Sequence, residues 1–375
     1  MKLTKIIAAS VLAFLILLSG CQINDTSWAF EFEGERMPAG VYIMFMNQAL
    51  FSAYDILHQE WLDWTPAYPG QAEPMHIMDM RPRDIMNASI EGMRLYDWVL
   101  REAQVLARRH FAVQAKLAQR GIEPDPAEMM SAAAAAAADF RANGDNFREI
   151  GVSESSLAIA YQSSVALTTL FDALYGEGGN YEVTEQQIRD YFRENFIRGQ
   201  ELVFFKAQLH PWAFEAEENM IEDQARVDAE NADMMEMALS FQDRLRAGED
   251  IALLQFELAM FHSPMGGEIP LPDDSDFVVR TDNERALHPT VREGVLSLSN
   301  GQVGLFEDDD IIAVVRRMDV LENPQHLAMH REQIRVSMRY DDYFLPLLDY
   351  TAWNLPIVVN DASMRRYSPS SLMQA

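Results

Sequence analysis

A chain of 375 residues with a formal net charge of −28 and a single cysteine argues against several functions at once. Phosphate repulsion opposes nucleic-acid binding, the lone thiol rules out a disulfide scaffold, and the acidity opposes an electrostatic hold on anionic lipid. The length predicts two domains, or one domain with a large insertion.

Lys2 and Lys5 precede an apolar run from Ile6 to Leu18, and Leu18-Ser19-Gly20-Cys21 follows directly. A run of that length falls short of the about 20 residues a spanning helix needs. The order of charge, apolar run and small residues predicts a secretory signal over residues 1–20. The segment resembles the lipobox of bacterial lipoproteins. That likeness implies acylation of Cys21 and a mature chain held outside the cytoplasm on the cell membrane, since two or more acyl chains anchor stably where one does not. No other stretch has 18 consecutive apolar residues.

Residues 22–26 read as a tether, and Phe30-Glu31-Phe32-Glu33-Gly34-Glu35 as a strand and turn. Apolar residues at 42, 45, 46, 49, 53, 56 and 57 predict a helix over 41–57. Five prolines and glycines make 61–83 a loop, and Arg83 to Gln119 reads as one long helix closed by Gly121. Asp125-Pro126-Ala127-Glu128 marks a helix start, with Asp at the N-cap and Pro at the first helical position. Ser153 opens another helix, and Thr184-Glu185-Gln186-Gln187 is a capping box for the next. Residues 40–196 are thus expected to be nearly all helical.

The pattern changes at Gly199. Residues 202–209 predict a strand, 215–247 an acidic helix carrying Met220, Met234, Met235 and Met237 as core filler, and 251–260 a short helix. Val291 to Leu298 reads as a helix, Asn300-Gly301 as a turn, and Ile311 to Val315 as a central strand. After Asn323-Pro324 comes a helix over about 326–345, which has no apolar partner in its own vicinity and is expected to pack back on the N-terminal helices. The expected fold class is α+β: a mostly α-helical domain (21–197, completed by 323–368) interrupted by an α+β insertion (198–322).

This layout resembles the PrsA/SurA-like foldases, in which a helical chaperone domain is interrupted by a parvulin-type peptidyl-prolyl isomerase domain. The stretches that carry the likeness are Val183 to Phe192, Lys206-Ala207-Gln208-Leu209-His210, Gly248 with Ile251 to Leu254, Ser263 with Gly266-Gly267-Glu268-Ile269, and Gly294 to Leu298 with Gly301-Gln302-Val303. It implies a foldase for secreted proteins, unfolded or newly secreted polypeptides as partners, no cofactor, and His210 as the first-strand catalytic histidine. Departures are also legible. The second parvulin histidine, at the start of the last strand, is replaced by Ala313, and Val291 stands where a pocket phenylalanine is expected. The isomerase site therefore looks degenerate; His262, near the parvulin cysteine or aspartate position, is the next candidate. An alternative is a non-catalytic scaffold that docks one envelope partner through the insertion.

Other chemistries lack their patterns. No H-E-x-x-H, G-x-S-x-G or phosphate loop occurs. Asp273-Asp274 and Asp308 to Asp310 lack the glycine and glutamate spacing of a calcium loop, so they read as solvated turns. His326 and His330 stand four apart without a third ligand nearby, which favours a surface pair over a metal site.

Overall fold

The computed structural model describes residues 27–67, 76–208, 217–262 and 276–373. Cys21, His210, Ser263 and Gly266 to Ile269 lie outside them, as does the His262 side chain. In chain order the strands and helices are β1 (Trp28–Phe32), β2 (Glu35–Pro38), α1 (Ala39–Ala67), α2 (Pro82–Met86), β3 (Ser89–Ile90), β4 (Met93–Arg94), α3 (Leu95–Arg120), α4 (Pro126–Glu149), α5 (Glu154–Tyr175), α6 (Glu185–Asn195), β5 (Phe196–Phe205), α7 (Glu217–Arg246), α8 (Ile251–His262), β6 (Asp276–Arg280), α9 (Pro289–Ser297), β7 (Val303–Glu307), β8 (Ile311–Met318), α10 (Pro324–Arg339), α11 (Leu345–Asn354), β9 (Val358–Val359) and α12 (Asp361–Met364). The class is α+β, as the sequence predicts. Two compact units divide the chain: Val183–Met338 is one, and the segments before and after it form the other.

Local chemistry builds the helical unit's corners. The β1–β2 and β3–β4 hairpins both turn on Glu-Gly pairs with positive φ, 52° and 86° at Glu33-Gly34 and 53° and 75° at Glu91-Gly92. Two successive positive φ values are what a type I′ hairpin turn requires. The second hairpin splits the single helix expected over 83–119: the chain leaves α2 at Asn87, turns, and restarts helical at Leu95. Asp125 caps α4 by accepting the Ala127 N–H at 2.8 Å, as its sequence position predicts.

Along α3, Leu95, Val99, Ala103, Ala107 and Phe111 recur every fourth residue and are all buried. They form one core with Tyr42, Met46, Ala49 and Ala53 of α1 and with Phe30 of β1. By length and composition α5 is the one described helix able to cross a membrane; here it packs along α4 and α1. The return from the insertion comes later than expected. The helix over 326–345 ends at Arg339, a π-helical turn follows at Tyr340–Phe344, and α11 packs on α3 with Leu348 and Ala352 buried. Arg109 grips Asp349 across that contact at 2.6 and 2.9 Å. Phe30 then pairs with Val359, closing a sheet of order β2-β1-β9.

The second unit is a four-stranded antiparallel sheet of order β6-β5-β8-β7. Strand β5 begins six residues before the expected strand at 202 and ends at Phe205, short of the expected 209. Its first half is claimed by β6, from Phe196↔Arg280 to Gln200↔Asp276, and its length by β8, from Arg198↔Met318 to Phe205↔Ile311. Gly199 interrupts nothing, because the Phe277 ring occupies the place of a Cβ there, 2.5 Å from it. One face carries Leu202, Phe204, Ile312 and Val314 under α7 and α8, where Met234, Met235 and Met237 fill gaps as expected. The other carries Ile197, Val203, Ile311, Ala313 and Val315 against Val291 and Val295 of α9.

At the unit's base, Phe192 of α6 and Phe196 of β5 meet His330 of α10 with ring centroids 5.7 and 5.0 Å apart. Arg331 pairs with Glu185 at 2.6 Å. This clasp joins α6 and α10 to the sheet, so the units divide at 182/183 and 338/339; the sequence reading divides them at 197/198 and 322/323.

Candidate functional site

Two places in the molecule answer to the functional readings, one in each unit. In the sheet unit, the position expected to hold a second catalytic histidine, Ala313, is fully buried and faces Val203 directly across the β5–β8 ladder. His210 stands five residues beyond the end of β5, so the strand itself brings no histidine opposite Ala313. Among the described residues, apolar side chains cover the surrounding face. The Phe306 ring lies against Gly294 and Gly304, where an added Cβ would approach it to 2.5 and 2.6 Å, and Val291, Val295 and Ile311 close the rest.

One residue on this face was not singled out by the sequence. Glu201 shares the Val203 side of β5, two residues along, opposite Val315. Burial raises its carboxyl pKa, and His288 pulls it partly back. Alternation within β5 would have flagged it once the strand's start at Phe196 was known.

The acidic turn after β7 is engaged internally. Asp308 accepts the Thr290 hydroxyl and the backbone N–H groups of Asp310 and Ile311 at 2.8 and 2.9 Å. Those hydrogen bonds, Thr290's foremost, hold its carboxyl down to about 2. Lys206 binds the Asp308 carbonyl at 2.6 Å and Glu307 at 2.5 Å. These groups bind the start of α9 and the end of β5 to the turn. His326 and His330 engage Asn323 and Gln333 at 3.3 and 3.1 Å.

In the helical unit, α1, α3 and α5 enclose an open cleft of about 530 Å³, with Tyr340 and Leu345 at one side. Its walls carry apolar Met44, Phe45 and Phe51 from α1, Leu106 and Val113 from α3, and Leu167 from α5, beside polar Gln48, Ser52 and Asp55 of α1 and Arg109 of α3. Phe51 is 61% exposed, an aromatic ring offered to solvent at the cleft. The polar floor is His110 with Ser163. The Ser163 hydroxyl donates to the Ile159 carbonyl at 2.7 Å, so it accepts from His110 Nδ1 at 2.8 Å, and Nε2 then accepts from Gln114 at 3.0 Å. Burial holds the His110 pKa down at about 4, so the ring is neutral at pH 7. A serine that spends its proton on a backbone carbonyl and receives the histidine's N–H is not activated as a nucleophile. The floor is a closed hydrogen-bond chain beneath an apolar surface.

No family model matches the chain, and no curated protein does. Solved structures similar to it include the foldase protein PrsA of Streptococcus pneumoniae str. Canada MDR_19A, at 11% identity and TM-score 0.31 over 76% of this chain and 98% of that one. PrsA of Lactococcus lactis matches at 9% and 0.34 over 93% and 98%, and the peptidylprolyl isomerase PrsA of Bacillus anthracis at 13% and 0.25 over 68% and 100%. All bear the family name that the sequence motifs resemble.

Proposed function

We propose that this chain is an extracytoplasmic chaperone of the foldase type, anchored by lipid on Cys21, which holds unfolded segments of secreted polypeptides in the cleft between α1, α3 and α5. The observation that carries this reading is the cleft itself: apolar side chains from three helices, an exposed Phe51, and a His110–Ser163 floor whose hydrogen bonds are already made. Such a surface selects apolar side chains without selecting a sequence, as a holder of unfolded chains must. The high negative charge keeps the protein soluble beside aggregating clients and suits cationic ones.

Prolyl isomerisation is, on this reading, not the work of the sheet unit. The amide barrier of about 18–20 kcal/mol is lowered only by a proline pocket together with a hydrogen-bond network that favours the twisted bond. Among the described residues, the face around Ala313 is covered by apolar side chains, and Val203 and Ala313 offer no side-chain hydrogen-bonding group. His210 remains the histidine that the resemblance assigns to catalysis. A proline-peptide assay is expected to return the uncatalysed rate for both the parent and His210→Ala. The packed face also favours the second reading, a docking surface for one envelope partner, which a single stoichiometric partner in a pull-down would support.

The chaperone reading is tested with the lipid-free chain and an unfolded client at a substoichiometric ratio. Aggregation is suppressed by the parent and several-fold less by Phe51→Asp; no suppression by the parent contradicts the reading.

A further inference from the structure

A second cavity of the helical unit, about 580 Å³, shares no lining residue with the cleft. It opens between α2, the start of α3 and the 3-10 turn Pro369–Met373, and its wall includes Arg81, Arg83, Arg94, Asn87, Tyr96 and Ser370. Three guanidinium groups in one cavity run against the charge of a chain at −28. Two are held in place: Arg81 by Asp84 at 2.7 Å and Arg94 by Asp97 at 2.8 Å. Each keeps spare N–H donors, since a guanidinium has five. Arg83 has no carboxylate partner among the described residues. The exposed Arg365 and Arg366 add two more charges just ahead of the 3-10 turn, against Asp361. Beside the cavity, the buried Tyr42 hydroxyl lacks a hydrogen-bond partner among the described residues, and Tyr96 is its electrostatic neighbour.

The cavity's place in the chain says what would reach it. Ser27 hydrogen-bonds Tyr367 at 2.9 Å. Six residues before Ser27 is Cys21, and three residues after Tyr367 is Ser370 of the cavity wall. At no more than about 3.6 Å per residue, Cys21 is within about 22 Å of Ser27, and Tyr367 within about 11 Å of Ser370. An acylated Cys21 would therefore keep the bilayer surface within reach of the arginines.

We propose that this cavity binds the phosphate of an anionic phospholipid headgroup in the membrane that carries Cys21. Guanidinium forks match phosphate geometry, and all three arginines are exposed, so their spare donors are open to a headgroup at the surface. The contact reverses locally the repulsion between an acidic protein and an anionic bilayer, and it sets which side of the helical unit faces the membrane. It rests on the lipid-anchor reading for the headgroup's proximity.

The experiment uses the full mature chain with Cys21→Ser, so that acylation plays no part. Partitioning onto vesicles of phosphatidylcholine with 30% phosphatidylglycerol is expected to exceed that onto pure phosphatidylcholine at least ten-fold at 50 mM salt. It is expected to fall by about the same factor in Arg83→Glu/Arg94→Glu, with an unchanged thermal melt, and in Arg365→Glu/Arg366→Glu by a smaller factor. Equal partitioning onto both vesicles, or no loss in a folded Arg83→Glu/Arg94→Glu variant, overturns the proposal. Inorganic phosphate that binds at sub-millimolar concentration and displaces the vesicles assigns the cavity to free phosphate and also overturns it. Labelling of Cys21 with radioactive palmitate in expressing cells tests the anchor separately. Failure there with vesicle selectivity intact removes the anchor and leaves the arginine cavity standing.

Discussion

His110 makes the cleft floor a pH-dependent contributor to stability. Its folded pKa of about 4 lies below the ordinary 6.5 because burial disfavours the charged ring. Between those values the unfolded chain binds the proton and the folded chain does not, so stability is complete above pH 6.5 and falls as the pH drops toward 4. At 1.36 kcal/mol per pKa unit the loss is about 2 kcal/mol by pH 5 and about 3 kcal/mol by pH 4. Urea unfolding of the parent and His110→Gln at pH 7.5, 6, 5 and 4.5 measures it, with the glutamine variant lacking that part of the slope. Ring-proton NMR reports the titration directly, without reference to unfolding of the second unit. Identical pH slopes, or a His110 ring that titrates near 6.5, would refute the reasoning. The same neutrality predicts that client binding in the cleft persists through mild acid.

Two further outcomes follow from the packing of the sheet unit. Phe204 is fully buried with its ring 5.6 Å from Phe241, so Phe204→Ala is expected to destabilise this unit by about 3–5 kcal/mol in urea unfolding. Ala313→His, which restores the residue type of the isomerase resemblance, is expected to destabilise by about 1–3 kcal/mol or more through overpacking and to leave proline-peptide isomerisation at the uncatalysed rate.

What was legible in the sequence was local. The Asp125-Pro126 helix start, the Thr184 capping box and the β-branched run Ile311 to Val315 each carry their structure in a few adjacent residues, and each is found where the residues place it. Strand β5 was misplaced because Gly199 reads as a break until Phe277, almost eighty residues away, packs over it. The Glu91-Gly92 hairpin was missed because apolar spacing runs on through it, and a turn of two positive φ values leaves only a two-residue mark. Glu201 is a half-buried carboxyl only because residues distant in the chain pack on that face, and the cleft exists only where three helices from distant parts of the chain meet. The arginine cavity is likewise assembled from residues almost three hundred positions apart.

The cleft's role is tested most directly by placing a benzophenone side chain at position 51 of the full mature chain and illuminating it with an unfolded secretory client. Position 205, where Phe205 is 67% exposed on the sheet unit, serves as the reference for an exposed ring outside the cleft. The account predicts a crosslink from 51 to the unfolded client that disappears once the client has folded, with little from 205. No crosslink from 51, or equal yields from 51 and 205, would contradict it.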